Sequence, residues 1–289
     1  MGLDKPGASR IAEPHIQQAL EGIRERASGP ALPAAMSVTL NFHPDWAYEG
    51  ESVLARIASE GVYRSQFETG TSNGGLTAFQ GGARWMWESR IFSGAYDSAP
   101  APLRPKYGAL NDRGSPYGGS PRFGSAHFRV RAEVLERTTF CFPDSYLDPV
   151  DFGVAERMAL IELKAAQLDN LEPLDRYIEA HVHGPLEIGA SMDALVLDPS
   201  YRGTQIEAFA NALACPVEWH PGFRLPVDRY EDCAAYRGRE VADLIPAVAE
   251  NGCITPRLIG QAQNRGVGSP LLLKRLWHCL AHFGAQGGL

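Results

Sequence analysis

The chain has 289 residues, 44% of them hydrophobic and 21% charged, with a formal net charge of -7. That length and apolar content supply one sizeable core or two smaller ones and exclude global disorder. The acidic balance excludes a broad electrostatic surface for nucleic acid, leaving only a local basic patch open, and no run approaches the roughly 18 apolar residues of a membrane span.

The opening stretch MGLDKPGASRIAEPH holds no apolar h-region, which sets the expectation of a cytoplasmic protein, with export by a non-Sec route left open. Cys141, Cys215, Cys233, Cys253 and Cys279 are widely spaced and form no CxxC. That pattern belongs to reduced structural thiols rather than to a disulfide framework or a zinc knuckle.

In chain order, residues 11–27 read as an amphipathic helix, with Ile11, Ile16, Leu20 and Ile23 on one side. A proline-bearing linker follows, then a strand over 38–42 that ends in His43-Pro44-Asp45. Residues 51–60 are helical. They lead into an expected strand over 62–67 carrying Arg64 and Gln66. The run then breaks into a loop dense in Gly, Ser, Thr and Asn. Arginine offers a fixed fork of donors to phosphate, and consecutive amides in such a loop make an anion-binding concavity. Arg64, Gln66, Thr69, Gly70, Ser72 and Asn73 are therefore candidate ligand-binding residues, although ordinary turn chemistry uses the same residue types. Gly81-Gly82 and Arg84 follow, then an aromatic-rich helix over 83–92.

Residues 107–110 form an expected strand. Residues 122–130 form another, with Phe123, Ser125, His127 and Arg129 on one face, and residues 138–142 a third. Residues 152–168 read as one helix. Residues 177–183 alternate, so that Tyr177, Glu179, His181 and His183 share a face. Short strands over 194–197 and 217–219 flank a helix over 205–214, and the pattern is helical from about residue 231. The sum is an α+β protein: an N-terminal helix and linker over 1–36, a strand-bearing domain over 37–226 and a helical extension over 227–289.

Glu179 is the informative residue of the alternating strand. A buried glutamate is costly unless paired or functional, whereas on a solvated face it is merely polar. Arg64, Ser125 and Glu179, in that order on successive strands, resemble the Arg-Ser-Glu group of the ADP-ribosyltransferase superfamily. The run IEAHVHGPLEIGASMDALVLDP is similar to the catalytic strand and hairpin of its DNA-modifying toxins. The resemblance implies split antiparallel sheets with flanking helices and NAD as substrate. It implies Arg64 on the pyrophosphate, Tyr107 and Ser125 beside the nicotinamide, and Glu179 stabilising an oxocarbenium-like transition state. His181 is the candidate for tuning Glu179 or moving a proton to the acceptor.

The chain departs from that group in reading Gly124-Ser125-Ala126 where a Ser-Thr-Ser run is usual, and in carrying Tyr177 two residues before the glutamate. Gln205-x-Glu207 offers a second candidate glutamate, on an expected helix. The blocks FHPD, YRSQFETGTSNGG, RPKYGALN, RFGSAHF, RTTF, HVHGPL, DPSYRGT and WHPGFRLP also resemble a bacterial family of uncharacterised proteins. The acceptor, the oligomeric state, and a role as toxin, effector or housekeeping enzyme stay open.

Two other classes compete. His181-x-His183 with His43 and Asp45, and His220 as a further ligand, would suit a metal-dependent hydrolase. Trp85, Trp87, Phe92 and Tyr96, if exposed together, would suit an interaction protein, although aromatics dominate interiors. There is no GxxxxGK[ST] and no GxGxxG after a strand, so a bound dinucleotide would sit in a non-Rossmann site.

Overall fold

The computed structural model describes residues 13–70 and 77–288. Within them, eight strands form one sheet: β1 (Ser37–Phe42), β2 (Lys106–Asn111), β3 (Ala126–Val130), β4 (Thr138–Phe142), β5 (Asp151–Val154), β6 (Glu179–Val182), β7 (Met192–Leu197) and β8 (Val217–Trp219). Their order is β8-β7-β3-β1-β2-β6-β4-β5. Every neighbouring pair is antiparallel except β7 and β8, which are parallel. With helices on both faces, the α+β class read from the sequence is the class observed.

The sheet is held at its centre by little. β1 and β2 pair only at Ser37–Asn111, Val38–Leu110 and Thr39–Ala109. Beyond that, Leu40 to Phe42 of β1 pair with β3, and Lys106 to Gly108 of β2 pair with β6. Two four-stranded halves thus part into a fork. At its crotch a Cβ on Gly108 would lie 2.5 Å from the Thr39 carbonyl oxygen, closer than any side chain tolerates, so glycine is required there.

Strand alternation divides the sheet into two unlike faces. One carries Val38, Leu40, Phe42, Leu110, Phe128, Phe140, Ala180 and Val182, all buried in a single apolar cluster. Helices Val53–Glu60, Leu160–Gln167 and Gln205–Asn211 cover it. At roughly 1.5–3 kcal/mol for each large side chain buried, this cluster is a dominant source of stability.

The other face carries Asn41, Tyr107, Thr139, Cys141, Glu179 and His181. It is covered in two pieces. Helices Pro14–Arg24 and Ala83–Ile91 bring Ile23, Trp87, Phe92 and Tyr96 against Cys141, Phe152 and Val154. The C-terminal helices build a separate cluster that reaches Tyr117 and Phe223. Trp87, Phe92 and Tyr96 are therefore core, not an interaction patch.

Two elements differ from the sequence reading. Residues 62–67 are not a strand: only Val62 bridges, to Glu187, and Gln66–Thr69 is a helical turn. The Ser65 hydroxyl accepts from the Glu68 amide while the Glu68 carboxylate accepts from the Ser65 amide, a capping box that outcompetes extended structure. Residues 152–168 hold edge strand β5 and then helix Leu160–Gln167, because Phe152 and Val154 fill the cluster beneath Pro14–Arg24. No helix among the described residues is long and apolar enough to cross a membrane.

Candidate functional site

A cavity of about 280 Å³ opens where the sheet forks. Asn41, Phe42 and His43 line it from the end of β1, and Tyr107, Gly108 and Ala109 from β2. Glu179, from β6, lies beside Ala109 in the register. Trp46, Tyr63 and Phe123 give it aromatic walls. The splitting of β1 from β2 makes the site, since continued pairing would close it.

Glu179 is 6% exposed. Its Oε1 accepts from His181 Nε2 at 3.0 Å, and the Cys141 thiol lies 3.9 Å away. Burial alone would push its pKa up. The hydrogen bond from His181, the charge of Arg84 and a hydrogen bond from Ser145 outweigh burial and hold the carboxyl below its ordinary value. The site thus keeps a buried glutamate ionised.

Arg84 is the arginine whose charge acts on Glu179. It is 3% exposed, lies with its guanidinium 4.0 Å from the Tyr107 ring centroid, and donates from Nη1 to Ser145 Oγ at 2.6 Å. Its Nε has no partner, and neither do Ser120 Oγ and Gln66 Oε1. All three residues line the cavity. A buried unpaired polar atom costs on the order of 1–3 kcal/mol, so these residues leave polar capacity in the cleft wall that the protein itself does not use. Behind Tyr107, Glu88 accepts from the Tyr107 hydroxyl at 2.8 Å and from Arg104 Nη1 at 2.6 Å. Burial pushes the Glu88 carboxyl up to about 7, and these donors oppose the shift.

Of the residues read from the sequence, Glu179, Tyr107, Arg64, Gln66 and Thr69 line this cavity. Arg64 stands exposed at its rim, bound to Glu60 through Nε at 2.7 Å and Nη2 at 3.0 Å, and not on a sheet strand. Gly70 ends the helical turn in the left-handed conformation and is not a lining residue. Ser72 and Asn73 lie outside the described residues. Ser125 is not brought to Glu179. Two strands, β1 and β2, stand between theirs, and its hydroxyl lies 3.3 Å from that of Tyr201. His181 is fully buried behind Glu179 and does not line the cavity, so it has no route to an acceptor there. Glu207, in the first turn of Gln205–Asn211, turns back to accept from the Gly203 amide at 2.6 Å and is a helix-start residue.

The sequence reading missed the parts of Arg84, Ser120, Ser145 and Glu88. Arg84 follows Gly81-Gly82, but nothing in the local pattern marks it as buried. Buried placement is decided by elements far apart in the chain.

The metal set read from the sequence does not assemble. His43 stacks on Trp46 at 4.0 Å, and both ring nitrogens of His183 are engaged, with Tyr96 and Thr139. Among the described residues the group with metal-ligand spacing is Cys141, Glu179 and His181. Within this group His181 Nε2 lies 3.0 Å from Glu179 Oε1 and 3.7 Å from the Cys141 sulfur.

No curated protein matches the chain. Residues 37–171 and 158–283 match the model of the family described as a protein of unknown function, DUF3626, and the chain belongs to that family.

Proposed function

We propose that the forked cleft binds NAD and that Glu179 promotes transfer of its ADP-ribosyl group to an acceptor. The observation that carries this reading is a single buried carboxylate, kept ionised, in the wall of a cleft also lined by Arg84, Ser120 and Gln66, each of which has an unpartnered polar atom. In the reaction the bond from ribose C1′ to the nicotinamide nitrogen breaks, and its electron pair leaves with neutral nicotinamide. Positive charge develops on the ribose, and the acceptor's lone pair then forms the new bond to C1′ as the acceptor loses a proton. A fixed carboxylate is most valuable where charge exists mainly in the transition state.

Arg84 takes the role the sequence reading gave to Arg64, contact with the pyrophosphate. Arg64, on the rim and exchanging Glu60 for ligand, assists at the mouth with Gln66 and Thr69. Tyr107 offers a ring face for a planar group, with Arg84 on its other contacts.

The test is titration of the full chain with NAD and assay of released nicotinamide. Glu179→Gln is expected to lower the release rate by on the order of 100- to 1000-fold with little change in NAD affinity. Arg84→Lys, which keeps the charge but not the planar fork, is expected to weaken binding. Failure of wild type to bind or cleave NAD, or full activity in Glu179→Gln, overturns the reading.

A further inference from the structure

Behind Glu179 a line of buried groups runs away from the cleft. His181 Nε2 is 3.0 Å from Glu179 Oε1, and its Nδ1 is 3.1 Å from Thr139 Oγ1. The same Thr139 oxygen is 2.9 Å from His183 Nε2, and His183 Nδ1 is 2.7 Å from the Tyr96 hydroxyl. Tyr96, Thr139, His181 and His183 are all 0% exposed. Each hydrogen bond therefore lies in a dry environment, where the bond is strong and a lost partner is costly.

The donor inventory gives this line one direction. An ionised carboxylate only accepts, so His181 Nε2 carries a proton and, in the neutral ring, Nδ1 accepts. Thr139 must then donate to His181 and accept from His183. His183 Nε2 is consequently the protonated nitrogen, and its Nδ1 accepts from Tyr96. Every member finds its partner and no lone pair meets another. Ring contacts fix the two imidazoles further: His181 lies 5.2 Å from Trp87 and 5.3 Å from Tyr107, and His183 lies 5.1 Å from Phe92. The strands explain the placement. Thr139 and His181 are register partners, and His183 follows two residues on, at the same face.

We propose that Tyr96, Thr139 and His183 are positioning residues: through His181 they hold the Glu179 carboxylate in one orientation by a hydrogen-bond chain of fixed direction. The chain anchors a residue at the fork to Tyr96, in the turn after helix Ala83–Ile91, through the two adjacent strands β6 and β4, so the carboxylate oxygen is set by the core. The orientation itself is independent of which reaction the cleft performs. Only its kinetic consequence rests on the transferase reading.

The experiment uses full-length protein labelled with ¹⁵N-histidine. Long-range ¹H–¹⁵N correlation near neutral pH is expected to report both His181 and His183 as neutral rings protonated at Nε2. Thr139→Val, close in shape but without the hydroxyl, is expected to leave His181 protonated at Nε2, where Glu179 still holds it, to shift its Nδ1 resonance as the hydroxyl donor is lost, and to release His183 from its single tautomer; Thr139→Ser is expected to restore both. With NAD as substrate, Thr139→Val is expected to lower kcat by about 10- to 100-fold at unchanged KM, as displacement of a reacting group does. Tyr96→Phe, at the far end, is expected to shift the His183 Nδ1 resonance while Thr139 keeps Nε2 protonated, with a smaller kinetic effect, and it keeps the test open if Thr139→Val does not fold. An imidazolium or an Nδ1-protonated ring at either histidine in wild type overturns the chain, as does a His181 Nδ1 resonance unmoved by Thr139→Val. If NAD is not cleaved at all while the tautomers are as stated, the transferase reading fails and the chain stands.

Discussion

Buried histidines of this protein occur in two settings. Near the fork, His181 and His183 engage both nitrogens of each ring, and the line of bonds ends on Glu179. Under the C-terminal helices and on them, His127 and His278 are equally buried, at 3% and 5% exposure, yet His127 Nδ1 and His278 Nε2 have no partner. Burial is thus common to both settings, and satisfaction separates them. A fully partnered polar cluster fixes geometry, whereas an imidazole with an idle nitrogen fills space at a cost in stability.

The sharpest way to break this comparison is to replace one histidine of each kind by leucine and compare unfolding in urea. His181→Leu leaves the Glu179 carboxylate and the Thr139 hydroxyl without their partner, and is expected to destabilise by about 3 kcal/mol. If it costs less than about 1 kcal/mol, the cluster is not the tight network described.

Acid is the second probe. Burial pushes the folded-state pKa of His278 down to about 2, with the charges of Arg122, Arg237, Lys274 and His43 adding to it. The unfolded chain takes up this proton below the ordinary histidine value and the folded chain does not. His278 therefore costs no stability from this source above about pH 6.5 and increasingly more as pH falls, by about 1.4 kcal/mol per unit. His278→Leu is accordingly expected to gain about 2 kcal/mol over wild type on going from about pH 6.5 to 5. Glu88 has the opposite sign. Its carboxyl is raised to about 7, so its contribution is present at low pH and is lost as pH rises from about 4.5 to 7. In Glu88→Gln stability is expected to rise more steeply with pH than in wild type across that window, as read from urea midpoints at several pH values.

The smallest expected effect sharpens the same contrast. Near pH 7.5, where the imidazole is neutral in both states, His278→Leu is expected to be neutral or stabilising by up to about 1 kcal/mol, because it removes an unsatisfied polar atom. A loss as large as that of His181→Leu would erase the distinction between the two settings.

Much of the fold was legible in the chain. The alternation of Glu179, His181 and His183 was visible because strand side chains repeat every two residues, and β1, β2, β4, β7 and β8 lie close to where the apolar runs put them. Other parts were misread for identifiable reasons. Val62 to Phe67 has strand-like composition, but Ser65 and Glu68 cap a helical turn, a signal present in the sequence and outweighed in the reading by hydrophobic pattern. The long helix expected over 152–168 absorbed an edge strand, because a short apolar run does not distinguish the two by periodicity.

By itself the sequence determined the α+β class, the polar face of β6 and Glu179 as the residue to watch, since each depends on local spacing. Tertiary structure alone decided that β1 and β2 part at Gly108, that Arg84 and not Ser125 stands with Glu179, and that Thr139 joins two histidines into one line. Those facts depend on which strands become neighbours, and that choice is made by long-range packing of the apolar face, which no local pattern encodes.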